Sequence, residues 1–316
     1  MHPDQTLSEY LQLWLENYAR HNVGNKTYET YQRIVKLNIV PSLGDVRLKD
    51  LRPLQIQAMY SDLLRSGKRN GSGLSPLSVQ HVHRLLRKAL HQAVRWEILD
   101  RNPADGADSP RVPRNEMNAL DRDGLSRLLT ALQGNKLYLP VLIAATTGMR
   151  RGEILALRWR DIDLDAGVLR VARSLQQIST GLEFKEPKSA RGRRNISLAK
   201  ATVSALRAHK AAHDTAPDGL VVCREDGTPW PPDQLSVEFH VFTRRNGFSI
   251  RFHDLRHTHA SNLLRDGVPV NVVSQRLGHA EPAITLNVYS HVLPGMQEEA
   301  ALKVDEMMAE VLGGAA

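Results

Sequence analysis

The chain is almost free of cysteine. Its 316 residues include one, Cys223, so no intrachain disulfide and no cysteine-rich zinc ribbon can form. Long apolar runs are missing too. None approaches the roughly 18 residues that a membrane-spanning helix needs, so no membrane partner is expected. The first residues, Met1-His-Pro-Asp-Gln5, have neither the basic nor the apolar region of a secretory signal, which fits a cytoplasmic location. No Gly-x-x-x-x-Gly-Lys-Ser/Thr loop occurs, so chemistry driven by a nucleoside triphosphate is not expected. Internal repeats and low-complexity segments are absent as well.

What remains is an ordinary globular composition with a charge bias. The chain is 41% hydrophobic and 24% charged, and its length suits two domains. Its net charge is +8, with a pI near 9.7, despite 34 acidic residues. A basic excess on a mixed-charge background fits a polyanionic partner.

Helical periodicity dominates the first hundred residues. Thr6-Leu-Ser-Glu9 reads as a capping box, followed by Leu7, Tyr10, Leu11, Trp14, Leu15 and Tyr18 at helical spacing. A second helix is expected from Thr27 to about Ile39, ended by Pro41 and Gly44. A third starts near Pro53. A fourth, roughly Ser78 to Leu99, has an apolar stripe and a basic face that includes Arg84, Arg87, Lys88 and Arg95. Such a face is either a solvated surface or a DNA-facing one. Pro103, Gly106, Pro110 and Pro113 then break any helix, which predicts a helical domain over 1–108, a linker over 109–118 and a second domain over 119–316.

The second domain is expected to be mainly α with a small antiparallel β-sheet. Helices are predicted near Asp121, over Tyr138–Thr147 and from Arg151 to Leu157. Val168–Ala172 and Arg194–Leu198 look like strands around a polar hairpin, and Asp254–Arg265, Val270–Leu277, Ala283–Val292 and Met296–Leu312 look helical.

The chemistry concentrates in His253-Asp-Leu-Arg256, Leu277-Gly-His279 and Tyr289, with Arg150 far upstream. Two guanidiniums from separate segments can clamp a phosphodiester and stabilise the charge that develops on attack. Arg150 lies near a helix start, which also favours an anion, and Glu153 can orient it from the same face. A phenol has a pKa near 10, so Tyr289 needs cationic neighbours to lower that value or a histidine to take its proton. Its attack exchanges one phosphate ester for another. Lys188, in a basic hairpin with Lys185, Arg191, Arg193 and Arg194, is one candidate for the acid that protonates the leaving oxygen. Taken singly, each arginine also fits a surface salt bridge, and Tyr289 a structural helix-face tyrosine.

Two motifs are decoys. His253-Asp-Leu-Arg-His257 imitates the His-Glu-x-x-His of zinc peptidases, but an Asp stands for the glutamate base. Asp161-Ile-Asp-Leu-Asp165 opens like a calcium loop, yet Ala166 and Ala172 replace the required Gly and Glu, so a turn before a strand is expected. The same acids are too clustered for a two-metal nuclease. No metal and no cofactor are expected, and His257 and His259 are read as lying outside the chemistry.

The order Arg150, Lys188, His253-x-x-Arg256, His279, Tyr289 resembles that of the tyrosine recombinases, the phage integrase family. Thr147-Gly-Met-Arg-Arg-Gly-Glu-Ile-Leu-Ala-Leu-Arg-Trp159 looks like the first arginine box. Pro187-Lys-Ser with Arg194-Asn-Ile-Ser-Leu198 looks like the lysine hairpin. His253-Asp-Leu-Arg-His-Thr258 looks like the second box, and Leu277-Gly-His with Thr285 and Tyr289-Ser-His291 like the nucleophile box. Leu7–Asp108, with Pro41-Ser-Leu-Gly44, looks like the family's core-binding domain.

The resemblance implies a two-domain DNA clamp and a site-specific recombinase. Arg150 and Arg256 would bind the scissile phosphate, and Lys188 would be the general acid. His253 and His279 would assist, Glu153 would support the site, and Tyr289 would form a 3′-phosphotyrosyl link. Arg84, Arg87, Lys88, Arg95, Arg191 and Arg193 would contact DNA. The partners implied are double-stranded attachment sites, a homotetramer on DNA assembled from free monomers and working through a Holliday junction, and accessory DNA-bending or directionality factors. A bacterial or phage-encoded, nucleoid-associated protein is implied. The amphipathic helix Met296–Leu312 would dock on a neighbour. A type IB topoisomerase-like activity without exchange, or a catalytically idle DNA-binding regulator, are the alternatives. Gly192 and Ser197 depart from the Ser and Pro often found in the lysine hairpin. Many phage integrases carry an arm-site-binding domain ahead of the point marked here by Leu7, which leaves a compact recombinase or a shortened chain as the two readings.

Overall fold

The computed structural model describes residues 4–68, 70–113, 118–186, 192–213, 216–289 and 296–313. The chain divides into two compact units, residues 1–115 and 116–316.

The first unit is helical. Helix α1 (Leu7–Trp14) starts at the expected capping box: the Thr6 N–H donates to Glu9 Oε2 at 2.8 Å, and the Glu9 N–H to Thr6 Oγ1 at 3.3 Å. Helix α2 (Asn25–Ile34) does not stop at Pro41. A π-turn over Val35–Ile39 carries it into a further turn, Val40–Leu43. The wide turn places Pro41 at the start of the resumed helix, where a missing N–H leaves no bond unmade. Helix α3 (Pro53–Ser66) and helix α4 (Pro76–Arg95) complete the unit. Its core is built on Tyr10, Trp14, Ile39, Ile56, Tyr60 and Leu86. The Tyr10 hydroxyl donates to the Ala89 carbonyl at 2.6 Å, so this buried phenol ties α1 to α4.

In the second unit, α5 (Arg122–Ala131) leads to α6 (Tyr138–Thr147), which is apolar on nearly every face and buried along its length. That pattern marks a central helix. Helix α7 (Arg151–Leu155) follows after Gly148. Strands β1 (Ile162–Asp163), β2 (Val168–Val171) and β5 (Arg194–Ser197) form an antiparallel sheet in the order β1-β2-β5. The turn between β1 and β2 is held by Asp163, whose Oδ1 accepts from the N–H groups of Asp165 and Ala166 at 3.0 and 2.8 Å. This is the non-calcium reading of that acidic run. A second, two-stranded sheet, β3 (Ser174–Ile178) with β4 (Gly181–Lys185), has no counterpart in the sequence pattern. Its strands are short and largely polar, and only Leu175 is fully buried, so their alternation carries little signal.

Helices α8 (Lys200–Ala212) and α9 (Pro232–Arg245) follow. Then come α10 (Asp254–Arg265), α11 (Val270–Leu277), α12 (Pro282–Tyr289) and α13 (Met296–Gly313). Helix α10 lies against α6, and α11 packs on both α10 and α12. Among the described residues no helix is long and apolar enough to cross a membrane.

Candidate active site

The site is built where helices end. Helix α6 stops at Gly148, which adopts a left-handed conformation with φ +66°. A Cβ there would also lie 2.7 Å from His259 Cδ2 and Leu277 Cδ2, so glycine is required on two counts. The tight ending frees the Gly148 carbonyl, which accepts from Arg256 Nη1 at 2.7 Å. Arg256 is 4% exposed, a buried cation whose hydrogen bond goes to a neutral carbonyl. Burial and the nearby Arg150 charge push its pKa down to about 9, so it stays cationic at neutral pH.

Two residues past Gly148, Arg150 caps α7. Its own N–H donates to Glu153 Oε2 and its Nη1 to Glu153 Oε1, both at 2.9 Å. One carboxylate therefore holds Arg150 by backbone and side chain together. From the other side Arg194, on β5, donates from Nη2 to Glu153 Oε2 at 2.9 Å and from Nη1 to Oε1 at 3.3 Å. Arg194 Nε donates to the Arg276 carbonyl at 2.6 Å, and Arg150 Nη2 reaches the Gly278 carbonyl at 3.4 Å. Burial alone would raise the Glu153 pKa, but Arg194 and then Arg150 outweigh it and hold the carboxyl below its usual range. The cluster sets three guanidiniums (Arg150, Arg194, Arg256) around the Glu153 carboxylate. Its surplus is positive, which suits an anionic ligand.

Helix α10 brings His253, Arg256 and His257 to one face, as spacings of three and four residues require. The His253 ring stands edge-on to His257, with centroids 5.1 Å apart. His257, read in the sequence as lying outside the chemistry, has its Nδ1 2.8 Å from the Tyr289 hydroxyl. His279 follows the left-handed Gly278 that ends α11, and its Nδ1 pairs with Thr285 Oγ1 at 2.8 Å. Burial, followed by the charges of Arg256, Arg150 and Arg194, pushes the His279 pKa down to about 4. His259, which the sequence also places outside the chemistry, is structural: Nδ1 bonds the Ala145 carbonyl at 2.9 Å beneath Gly148.

Tyr289 ends α12 with 1% exposure. Of the two routes expected for the phenol, lowering by cations is present but does not set the net direction. Burial pushes it up to about 12, and Arg256 offsets only part of that rise. Burial therefore favours the protonated phenol at neutral pH.

The remaining candidates are scattered. Lys188 and Arg191 lie outside the described residues. Arg193 pairs with Glu186 across the stem of that hairpin. On α4, Arg87 Nε is 2.7 Å from Asp105 Oδ1, and Lys88 Nζ sits 5.5 Å from the Tyr31 ring centroid, while Arg84 and Arg95 stand exposed. Among the described residues no three His, Cys, Asp or Glu side chains converge as a metal-ligand set. Sequence reasoning misses His257, Arg194 and Arg276. The i+4 spacing from His253 is a usable signal for the first. The other two act through backbone carbonyls and one distant carboxylate, which leave no periodic trace.

Comparison with known proteins identifies the family. The phage integrase family matches residues 118–296, and the phage integrase N-terminal SAM-like domain matches residues 6–64. A tyrosine recombinase XerC-like protein of Caldanaerobacter subterraneus subsp. tengcongensis is 26% identical over 96% of this chain and 84% of its own length. The ICEBs1 integrase of Bacillus subtilis is 29% identical over 75% of this chain and 67% of its own. In fold, the chain is similar to the Tn1549 transposon integrase solved with a circular intermediate DNA. The TM-score is 0.81 at 19% identity, covering 96% of this chain and 99% of that one. A lambda integrase tetramer on a Holliday junction gives a TM-score of 0.67 at 21% identity, over 88% of this chain and 78% of that one. With the catalytic match alone spanning more than half of its residues, this chain belongs to the phage integrase family, the tyrosine recombinases.

Proposed function

We propose that the protein is a site-specific DNA recombinase in which Tyr289 attacks the scissile phosphodiester. The observation that carries this reading is Arg256: a buried cation hydrogen-bonded to a carbonyl, close enough to Tyr289 to lower its pKa in part. A phosphodiester bound at Arg256 and Arg150 supplies the missing negative charge. As the Oη–P bond forms, the charge growing on the equatorial oxygens meets both guanidiniums in a water-poor site, where electrostatic stabilisation is strongest. Glu153 and Arg194 keep Arg150 in place, while His253 and His279 border the same phosphate.

The bond exchange needs no high-energy cofactor. The Tyr289 Oη–P bond forms, the P–O5′ bond breaks, and Lys188 donates a proton to the leaving 5′ oxygen. Ester replaces ester, so the step reverses when a 5′ hydroxyl attacks the 3′-phosphotyrosyl link. Residues 1–108 form the helical DNA-binding domain, with Arg84, Arg87, Lys88 and Arg95 on its basic helix, and 119–316 the catalytic domain. Arg191 and Arg193 extend DNA contacts from the hairpin. Free monomers assemble as a tetramer on paired double-stranded attachment sites and exchange strands through a Holliday junction. The lambda integrase, similar in fold, was solved as a tetramer bound to a Holliday junction, which supports this reading. Leu302, Val304, Met307 and Val311 stand exposed on α13 and dock on a neighbouring protomer in that assembly. Accessory DNA-bending and directionality factors act on the same complex.

The test is trapping. Incubation with a nicked suicide duplex carrying the DNA that flanks the coding gene should give a covalent protein–DNA adduct, absent in Tyr289→Phe. Two plasmids bearing the site should recombine. Relaxation without recombination would indicate a topoisomerase-like activity instead.

A further inference from the structure

The reaction above leaves the Tyr289 proton without an acceptor. Among the described residues, neither imidazole singled out by the family order is hydrogen-bonded to the Tyr289 hydroxyl. The Nδ1 of His279 is engaged by Thr285 Oγ1 at 2.8 Å, and His253 lies towards solvent with its ring edge-on to His257. His257 Nδ1 is 2.8 Å from the phenol oxygen itself, with ring centroids 5.7 Å apart. Tyr289 is buried, so water does not compete for that hydroxyl. His257 is also adjacent to Arg256 on α10, so one rigid element carries both the phosphate clamp and the group on the nucleophile.

We propose that His257 is the catalytic base of strand cleavage: its Nδ1 takes the Tyr289 proton as the Oη–P bond forms and returns it on resealing. This rests on the reading of Tyr289 as nucleophile. The imidazole must carry its own proton on Nε2, so that the phenol O–H donates to the Nδ1 lone pair. It must also be neutral. Burial, then His253, drives its pKa down to about 4, and Arg256 and Arg251 act the same way against the opposing Asp254. So weak a base does not ionise the phenol in advance. Transfer accompanies attack, because the phenol oxygen loses its basicity as it bonds to phosphorus. The incoming phosphate charge meanwhile favours the imidazolium. In the forward step the imidazole ends as a cation and the acid, Lys188, ends neutral. Resealing reverses both transfers.

A hydrogen bond that merely positions Tyr289 is the rival role, and His257→Asn separates the two. Asn keeps a hydrogen-bonding group near the Nδ1 position but is not basic, and His257→Ala removes both properties. The probe is a duplex selected from a random-sequence pool by binding to the Tyr289→Phe protein. It is made in an ordinary form and with sulfur replacing the bridging 5′ oxygen at the bond the parent protein cuts. A thiolate leaves without needing a proton. Both variants should bind the ordinary duplex as the parent does and cleave it about 10²–10⁴-fold more slowly, the range of general-base catalysis. On the sulfur duplex both should stay slow while Lys188→Ala recovers. His257→Asn cleaving within about threefold of the parent would overturn the inference, leaving a positioning role. Recovery of both His257 variants on the sulfur duplex would overturn it in favour of an acid role. Absence of an adduct with the parent protein is a failure of the nucleophile reading, distinct from either outcome.

Discussion

Replacing Glu153 with Gln should be one of the most damaging isosteric changes in the molecule. The side chains of Glu153 and Arg194 are 5% and 7% exposed, so the substitution leaves a buried guanidinium without its counter-charge. Removing one partner of a buried pair costs about 3–5 kcal/mol. The Arg150 side of the carboxylate adds little, because that guanidinium is 42% exposed and screened by water. For a unit of about 200 residues, each kcal/mol shifts Tm by about 2–4 °C, so a fall of roughly 6–20 °C is expected. The assay is thermal unfolding of the parent, Glu153→Gln, Arg194→Met and the double variant at neutral pH. The double variant should lose less than the two single losses combined, because it no longer buries an unpaired charge. The Glu153 pKa is depressed in the folded protein, so its contribution is full above the ordinary carboxylate range. It is lost as pH falls through the folded value, and the gap between parent and Glu153→Gln should close in acid. A loss under about 1 kcal/mol at neutral pH, or strict additivity in the double variant, would refute the buried-pair reasoning.

Other expectations follow from the same geometry. Gly148→Ala should cost about 2–5 kcal/mol, from a left-handed backbone plus clashes with His259 and Leu277, read as a drop in Tm. The pKa values of His257, His259 and His279 are pushed down to about 4 from 6.5, so stability should decline as pH falls from about 6.5 towards 4, measured by denaturant unfolding across that window. Alanine at Arg84 or Arg95 should weaken DNA binding and reduce the salt slope by about 0.9 for each phosphate no longer neutralised; an unchanged slope would remove α4 from the interface.

The sequence is most legible where periodicity or a cap is local. The Thr6–Glu9 capping box, the Asp121 cap of α5 and the all-apolar α6 stand where the pattern predicts them. Its limits are equally physical. Pro41 reads as a helix stop, and only the π-turn over Val35–Ile39 makes it the start of a new turn. The β3–β4 hairpin buries too little to impose alternation. In the site, residue types and order point to the five elements, but not to the balance of forces on them. Residue types offer two ways to activate Tyr289, cationic neighbours or a histidine, but carry no sign that burial sets the net direction of its pKa. His257 reads in the sequence as part of a zinc-like decoy, yet α10 and α12 bring it onto the Tyr289 hydroxyl across 32 residues of sequence.

The most direct test of the central claim is to find where the DNA becomes attached. After cleavage of a suicide duplex, trypsin should release the peptide from Leu277 to Lys303, and fragmentation should place a 3′-linked nucleotide on Tyr289. A nucleotide on any other residue, or a cleaved duplex with no covalent adduct, would contradict the account.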